Sequence, residues 1–380
     1  MSTLRLPGLI DVHVHLRDPG GTHKEDFATG TAAALAGGIV AVLDMPNNSP
    51  PVINAASLRA KQTAAEKAHC DYGLYLGATE NNAAPVARLH APACGLKMYL
   101  GHTYGPLRLV ELSAMIAHFR EWPARRPIAI HAEGLALAGA IALAQAYNQA
   151  IHLCHVSRAA EIALIRAAKE RGAPITCEVT PHHLFLTETD AQRLGPFGYM
   201  KPTLGTAADR DALWANLDVV DCVATDHAPH TTAEKEGEHP PPGVPGLETV
   251  LPLMLTAVHE GRLSLERLVE LMRDNPARIF GFAPPESEIE IDTTAQYIIS
   301  RRGLHTRCGW TPFEGMPVRG RVRKVVLRGK LACCDGEVLA PRGFGQPLHW
   351  PTATESNCAE YNIGWDRVTK RCEVPPKPPK

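Results

Sequence analysis

The sequence has little of what membrane proteins and nucleic-acid-binding proteins require. No apolar stretch reaches the roughly 20 residues that a membrane-spanning helix needs. The N-terminal segment MSTLRLPGLIDVHVHL lacks the layout of a signal peptide. An excess of one charge is also missing, because 39 basic residues face 40 acidic ones and the net charge is −1. That balance argues against nucleic acid or an anionic membrane as the main partner.

The ten cysteines do not resemble a disulfide scaffold in a chain of 380 residues. Cys154, Cys177 and Cys222 lie in apolar runs, where small buried side chains are expected. A reducing cytoplasm is therefore the compartment that we expect. The length suits one α/β barrel, which takes about 250 residues, together with a small accessory domain.

Short apolar runs alternate with helical patterns along most of the chain. Eight runs predict β-strands, at Leu9–His15, Ile39–Met45, Tyr72–Leu76, Leu96–Leu100, Ile128–His131, Ile151–His155, Ile175–Val179 and Cys222–Thr225. Apolar residues spaced three and four apart predict helices, at Phe27–Ala36, Ala55–Ala68, Leu107–Glu121 and Arg158–Arg171. Apolar strands that alternate with helices are typical of a parallel sheet buried on both faces. We predict a closed (β/α)8 barrel. An open doubly wound sheet is the alternative, although no GxGxxG motif follows the first strand.

The composition changes after Phe282, where Pro284 and Pro285 interrupt the barrel pattern. We predict a barrel at residues 1–283 and a small β subdomain at residues 284–351, which the N-terminal residues would join. Its strands would fall in Glu288–Tyr297 and Val318–Val338. Residues 352–380 are polar and end in PPKPPK, which predicts a flexible tail.

Side chains that can bind a metal stand at or just past the ends of several predicted strands. They are His13, His15, Lys97, His131, His155 and Asp226. The carboxyl ends of barrel strands form the active-site face of this architecture. Imidazole and carboxylate groups are good zinc ligands, and a metal centre that activates water performs hydrolysis.

Each of these residues also has a structural explanation. His13 and His15 share one face of a strand, and they could simply close a barrel end. Lys97 lies in an apolar strand, where its amine could reach the barrel rim or could react with CO₂ to form an anionic, metal-bridging carbamate. His131 and His155, taken singly, could be ordinary buried histidines. Together the positions favour a metal centre.

The motifs around these residues resemble the amidohydrolase superfamily and, within it, the dihydroorotases. DVHVHLRDPG and ATDHAPHTTAEK are similar to the two signature segments of that family. The likeness runs from Leu6 to Pro351 and includes GTHKEDFATGTAAALAGG, GLKMYL, HAE, CHVS, CEVTPHHL, PPPGVPGLE and WTPFEG. These segments resemble the form found fused in the animal pyrimidine-synthesis polypeptide.

The resemblance implies two zinc ions that are bridged by a carboxylated lysine and a hydroxide. The implied ligands are His13, His15 and Asp226 for one ion, His131 and His155 for the other, and Lys97 as the bridge. Asp226 would also be the catalytic residue that carries a proton to the departing ring nitrogen. The implied reaction interconverts N-carbamoyl-L-aspartate and L-dihydroorotate in de novo pyrimidine (UMP) biosynthesis. Cys154 and Glu178 match positions that hold a third zinc in the animal type, or they are a core cysteine and a buried acid.

Substrate recognition should depend on a carboxylate clamp. Arg17 can bind a carboxylate through two hydrogen bonds, and the resemblance implies that Asn47 and His230 assist it. Backbone groups around Pro242 and Gly243 would contact the ring or the ureido group. The alternatives are a surface salt bridge for Arg17 and a turn position for Asn47.

Thr103 and Tyr104 lie in GHTYGPL, which corresponds in the resembling enzymes to a mobile loop that closes over substrate. Gly101 and Gly105 would permit hinging. The animal type often carries Phe where Tyr104 stands. Lys201 replaces a substrate-binding Arg of that type, so it keeps the charge but loses the two-pronged geometry.

Two other functional classes compete with this interpretation. Hydantoinases, dihydropyrimidinases and allantoinases share the metal ligands but do not need the same carboxylate clamp. A non-catalytic relative would serve as an assembly partner, but such relatives usually lose metal ligands. The resemblance also implies a homodimer. The start at Met1 leads us to expect a free-standing enzyme and leaves association with aspartate transcarbamoylase open.

Overall fold

Eight parallel strands form the wall of a barrel in the computed structural model, which describes residues 3–124 and 126–350. The strands of the chain are β1 (Thr3–Leu6), β2 (Leu9–Val14), β3 (Ile39–Asp44), β4 (Asp71–Gly77), β5 (Gly95–Tyr99), β6 (Ile128–His131), β7 (Ile151–Leu153), β8 (Ile175–Val179), β9 (Cys222–Val223), β10 (Ser287–Ile298), β11 (Pro317–Leu327), β12 (Lys330–Cys334) and β13 (Glu337–Val338). β2–β9 neighbour one another in chain order. Val14 pairs with His227, which links the first barrel strand to the segment after the last. The predicted (β/α)8 barrel and its eight strands are confirmed.

Helices follow most of the barrel strands. They are α1 (Phe27–Ala36), α2 (Ala55–Ala65), α3 (Ala83–Ala87), α4 (Leu112–Glu121), α5 (Leu135–Tyr147), α6 (Ala159–Glu170), α7 (Pro181–Phe185), α8 (Glu188–Leu194), α9 (Ala207–Ala215), α10 (Thr232–Lys235), α11 (Val250–His259), α12 (Leu265–Val269) and α13 (Asn275–Phe280), with a 3₁₀ turn at Gly195–Gly198 and a π turn at Glu270–Asp274. The helix predicted from Leu107 starts only at Leu112. The prediction was wrong there because the Leu109 N–H bonds to the carbonyl of Tyr99, the last residue of β5, and not to a carbonyl within a helical turn. Among the described helices, none has the length and apolar character of a membrane span.

Two apolar layers hold the barrel together. Ile10, Val12 and Tyr75 belong to a cluster that includes residues from several barrel strands, whereas Leu9 and Val14 pack in a larger cluster with residues of the surrounding helices. Each of these five side chains is fully buried. Complete burial of a side chain such as Leu or Ile stabilises a fold by about 1.5–3 kcal/mol, so these layers fix where the strand ends lie.

A second, antiparallel sheet is formed by β1 and β10–β13. The loop 299–316 leaves this sheet and reaches the barrel, where the Trp310 indole donates a 2.7 Å hydrogen bond to the His230 carbonyl. The Thr306 hydroxyl donates to the Glu25 carboxylate in the same region. The predicted β subdomain is therefore present as a sheet, while its division from the barrel at residue 283 stays a prediction. The predicted tail at 352–380 lies outside the described residues.

Candidate active site

The predicted metal-binding residues converge at the carboxyl end of the barrel, here called the mouth. The Nε2 atoms of His13 and His15 lie 3.2 and 3.0 Å from Asp226 Oδ1. Ligand atoms of His13, His155 and Asp226 lie within 4.8 Å of one another. All four side chains are buried. β2, β7 and β9 bring these residues together because each strand ends at, or just before, its functional residue.

Hydrogen bonds behind His13 and His15 orient both imidazoles. His13 Nδ1 bonds to the Glu178 carboxylate, and His15 Nδ1 lies 2.7 Å from the amide oxygen of Asn47. An acceptor at Nδ1 places the proton there, so each Nε2 presents a lone pair toward Asp226. This is the arrangement in which histidine binds a metal. Asn47 thus positions His15, whereas its predicted contact with a substrate carboxylate stays a prediction.

His131 and His155 form a second imidazole pair. His131 Nδ1 and His155 Nε2 face each other at 2.7 Å. The outer nitrogens, His131 Nε2 and His155 Nδ1, are buried without a hydrogen-bond partner among the described residues. Buried polar atoms normally find partners, so two such nitrogens mark a place where a ligand would bind.

Lys97 is a buried amine at the end of β5. Its side chain is fully buried, and Nζ donates to Cys154 Sγ at 2.9 Å. The described residues place no carboxylate within ion-pairing distance of Lys97. By contrast, the equally buried Lys61 has Asp44 at 2.7 Å. A buried ammonium without an acid is costly, so conversion of Lys97 to a metal-bound anion would remove that cost.

Burial shapes the protonation of the whole centre. It lowers the pKa of His13, His15, His131 and His155, and neighbouring cations such as Lys97 lower it further. Burial raises the pKa of Asp226 and raises that of the Cys154 thiol to about 12. Neutral imidazoles are the form that coordinates a metal, so the histidines are ready to bind one.

Left-handed backbone conformations occur at three residues of this site. Arg17, His155 and Asp226 adopt φ angles of 61°, 38° and 46°, in the left-handed region that non-glycine residues rarely occupy. Such a conformation costs on the order of 1 kcal/mol or more per residue. The fold accepts this cost at the points where the strands end and the side chains turn into the mouth.

A cationic pocket adjoins the histidines. Arg17 Nε donates to the Pro229 carbonyl at 3.1 Å, and its Nη2 lies 3.1 Å from His230 Nε2. Tyr104 lies with its ring centroid 5.0 Å from the Arg17 guanidinium carbon. Arg17 is buried, so the alternative of a surface salt bridge for this residue is wrong. A buried arginine beside a neutral histidine can bind a carboxylate.

The other predicted substrate contacts lie around this pocket, and some of their backbone groups already form hydrogen bonds within the protein. The Pro242 carbonyl accepts from His230 Nε2 at 3.0 Å, and the Gly243 N–H donates to the Tyr199 carbonyl at 3.0 Å. Lys201 and Thr103 are half-buried nearby. Their roles in substrate binding stay predictions.

Lys235 is a structural element of the site that the sequence analysis did not single out. Its ammonium is fully buried and donates to the carbonyls of Tyr199, Pro241 and Gly243 at 2.9, 3.0 and 3.2 Å. It therefore holds together the two loops that carry Lys201 and Pro242. The only signal was its place at the end of ATDHAPHTTAEK, which gave no indication of these partners.

Comparison with known proteins supports this picture. The model of the amidohydrolase family matches residues 4–332. The multifunctional protein CAD of Squalus acanthias is 51% identical over 92% of this chain, and the chain spans 16% of that protein's length. A dihydroorotase of Pyrococcus furiosus is 36% identical and is matched over 89% of this chain and 84% of its own length.

Solved structures show the same architecture. An L-hydantoinase (dihydropyrimidinase) from Arthrobacter aurescens has a TM-score of 0.87 and 28% identity, covering 91% of this chain and 89% of its own. An inactive dihydroorotase-like domain of a CAD-like multifunctional protein from Chaetomium thermophilum has a TM-score of 0.79 and 27% identity, covering 91% and 99%. The chain belongs to the amidohydrolase family, and dihydroorotases of Pyrococcus furiosus and Pyrococcus abyssi are among the relatives that it matches over most of their length.

Proposed function

We propose that this chain is a metal-dependent cyclic amidohydrolase that interconverts L-dihydroorotate and N-carbamoyl-L-aspartate. The observation that carries the proposal is the convergence of His13, His15 and Asp226 beside the His131–His155 pair, next to the buried Arg17. The dihydroorotases among the relatives suggest the substrate. The reaction would be a step of UMP biosynthesis.

The donor set fits two zinc ions. The residues that would hold them are His13, His15 and Asp226 for one ion, His131 and His155 for the other, and a carboxylated Lys97 between them. Bound zinc would polarise the amide carbonyl and make water a nucleophile near neutral pH. The neutral imidazoles and the unpartnered nitrogens of His131 and His155 support this assignment.

The chain's own residues would bind the substrate and move its protons. Arg17 would hold the substrate carboxylate through two hydrogen bonds, with His230 beside it. In hydrolysis, the water oxygen bonds to the ring carbonyl carbon and Asp226 accepts the water proton. The ring C–N bond then breaks, and Asp226 returns that proton to the leaving nitrogen. The biosynthetic direction reverses these steps and releases water.

A third zinc on Cys154 and Glu178 stays a prediction. Ligand atoms of His13, Cys154 and Glu178 lie within 4.8 Å of one another. However, the Glu178 carboxylate already bonds to His13 Nδ1 and lies 3.1 Å from His152 Nε2. The Cys154 thiol would also have to lose a proton despite its raised pKa. Zinc counting separates two ions from three.

Two rival functions make different predictions. A hydantoinase-type enzyme, as in the Arthrobacter aurescens neighbour, would turn over hydantoin or dihydrouracil faster than dihydroorotate. An inactive assembly partner, like the Chaetomium thermophilum domain, would lack turnover altogether. The buried Arg17 favours a carboxylated substrate over the first rival, and the complete ligand set argues against the second.

The test is to measure hydrolysis of dihydroorotate, dihydrouracil, hydantoin and allantoin together with zinc content on the same preparation. Lys97→Ala is the diagnostic variant, and Lys330→Ala, at an exposed position of β12, is its control. We expect dihydroorotate to be the best substrate, with about two zinc ions per chain. Lys97→Ala should lose both zinc and turnover, while Lys330→Ala keeps them. Faster turnover of an uncharged ring, or no turnover by a zinc-loaded wild type, would overturn the proposal.

We also propose that the chain is a homodimer that works beside other pyrimidine enzymes, aspartate transcarbamoylase among them. The multifunctional relatives, in which the matched region is a small part, motivate the association, and the resemblance of the motifs to the dihydroorotases motivates the homodimer. Size-exclusion chromatography with and without aspartate transcarbamoylase tests it. A monomer that elutes unchanged in the mixture would contradict both parts.

A further inference from the structure

Lys24 is a buried lysine whose ammonium is fully partnered. Its side chain lies at the edge of the cationic pocket, and 4% of the residue is exposed. Nζ lies 2.8 Å from Glu234 Oε1, 3.2 Å from His230 Nδ1 and 2.9 Å from the Tyr104 hydroxyl. A lysine ammonium has three N–H donors, and these three acceptors use all of them.

Two of these partners belong to the scaffold, and the third belongs to the loop 101–107. Tyr104 is half-buried, whereas its loop neighbours His102, Gly105 and Pro106 are exposed. Its hydroxyl accepts from Lys24, its ring centroid lies 4.5 Å from the Lys24 nitrogen, and its carbonyl accepts from the Asn47 amide at 3.0 Å. Tyr104 is therefore the residue through which this loop is attached to the pocket.

The same ammonium also determines the state of His230. When Lys24 donates to Nδ1, that nitrogen carries the lone pair and the ring proton is on Nε2, so the 3.1 Å contact of Nε2 with Arg17 Nη2 is then not a hydrogen bond. Nε2 then donates to the Pro242 carbonyl at 3.0 Å. Burial and the flanking charges of Arg17 and Lys24 hold the pKa of His230 far below its usual range, so the ring stays neutral.

We propose that Lys24 is a positioning residue that latches the loop 101–107 onto the pocket through the Tyr104 hydroxyl and sets the tautomer of His230. The effect of this latch on substrate binding depends on the proposed function, whereas the contacts that form the latch do not. When the latch opens, one Lys24 proton loses its partner and the pocket gains access to water. Closure of the loop and orientation of His230 are therefore coupled through a single ammonium.

Limited trypsin digestion tests the latch without any substrate. Arg108 is exposed directly after the loop. If the loop opens and closes faster than trypsin cleaves, the cleavage rate at Arg108 is proportional to the fraction of molecules in which the loop is open. Tyr104→Phe removes only the hydroxyl, Lys24→Met removes the ammonium, and Tyr147→Phe, a partly exposed position on α5, is the matched control. A hydrogen bond to a charged group predicts about tenfold faster cleavage for Tyr104→Phe. We expect at least as large an increase for Lys24→Met, and the wild-type rate for Tyr147→Phe.

The outcomes are distinct. If Tyr104→Phe is cleaved at the wild-type rate, the latch is overturned, whether or not Lys24→Met is cleaved faster. Circular dichroism confirms that each variant is folded. In the activity assay, Lys24→Met should raise KM for dihydroorotate more than Tyr104→Phe does, with a smaller change in kcat, because it alone releases His230 Nδ1. If the cleavage rates change as expected but wild type fails to turn over dihydroorotate, the proposed function fails while the latch stands.

Discussion

The two ends of the barrel both bury titratable groups, but they partner them differently. At the amino end, the carboxylate of Asp71 bonds to Arg328 and accepts the Gln346 N–H at 2.9 Å, and Arg328 also donates to the Phe344 carbonyl at 2.6 Å. At the mouth, His131 and His155 each keep a buried nitrogen without a partner among the described residues. The Asp71–Arg328 pair is satisfied within the fold, whereas the two imidazoles at the mouth keep positions that a ligand could fill.

The amino end of the barrel also contains a sizeable cavity. A cavity of about 400 Å³ lies at the amino end, lined by residues that include Tyr72, Arg126 and Trp350. Left-handed backbone conformations occur at both ends, at Arg17, His155 and Asp226 in the mouth and at Arg328 at the amino end. The unpartnered nitrogens of His131 and His155 therefore point to the proposed site better than a cavity or backbone strain does.

The largest expected effect is at the mouth, where Asp226→Asn should abolish proton transfer. We expect turnover of dihydroorotate to fall by about 10²- to 10⁴-fold, the usual contribution of a positioned acid or base. Burial already raises the pKa of Asp226, so removing its charge from the metal-free protein should not lower the unfolding midpoint. Steady-state rates and thermal melts after chelation check both statements. Asp218→Asn, on an exposed side chain, is the control, and equal losses of activity in both variants would contradict the assignment.

The amino end should show the opposite response, with stability lost and activity kept. Arg328→Met leaves the buried carboxylate of Asp71 without its cation and should lower the free energy of unfolding by about 2–3 kcal/mol. The wild-type pair is shielded, with side-chain exposures of 24% and 7%, whereas Arg166 and Asp218 are exposed by 37% and 64%. Arg166→Met is therefore the control and should unfold close to the wild type.

The pH dependence sharpens this prediction. Burial raises the pKa of Asp71 in the folded protein, and loss of Arg328 should raise it further. A raised folded-state pKa gives stability that is complete below the unfolded value and is lost as the pH rises through the folded value. The deficit of Arg328→Met should thus shrink as the pH is lowered toward 4. A deficit that is independent of pH would show that packing, rather than charge, is lost.

Arg17→Lys should have an intermediate effect that is confined to substrates with a carboxylate. Lysine keeps the charge but loses the second hydrogen bond, so KM for dihydroorotate should rise by about ten- to hundredfold. Any residual hydrolysis of hydantoin, which lacks the carboxylate, should change much less. Parallel losses on both substrates would indicate that Arg17 supports the fold of the mouth rather than the clamp.

The sequence predicted the barrel, and it placed the proposed metal ligands at one end of it, because both depend on short-range patterns. Continuous apolar runs encode buried strands, and His13, His15 and Asp226 stand at or just past the strand ends, where the architecture puts its active site. The partners of Lys24 and Lys235 could not be predicted in this way. Tyr104 is 80 residues from Lys24 along the chain, and it reaches Lys24 only through loop geometry. The reach of Trp310 into the mouth likewise depends on packing between the second sheet and the barrel.

The smallest expected effect concerns Lys235, a buried cation at the mouth that is partnered as completely as the charges at the amino end. Burial lowers its pKa to about 8. A folded-state pKa below the unfolded value near 10.5 means that this group's contribution to stability is complete above pH 10.5 and falls as the pH drops through about 8. The difference in unfolding midpoint between wild type and Lys235→Met should therefore widen as the pH rises from 8 toward 10.5.

Thermal melts across this pH range measure that difference, with Lys330→Met, at an exposed position, as the control. A constant difference would mean that the three carbonyl contacts keep the ammonium charged throughout, and the mouth would then hold a structural cation like that of Arg328 at the other end.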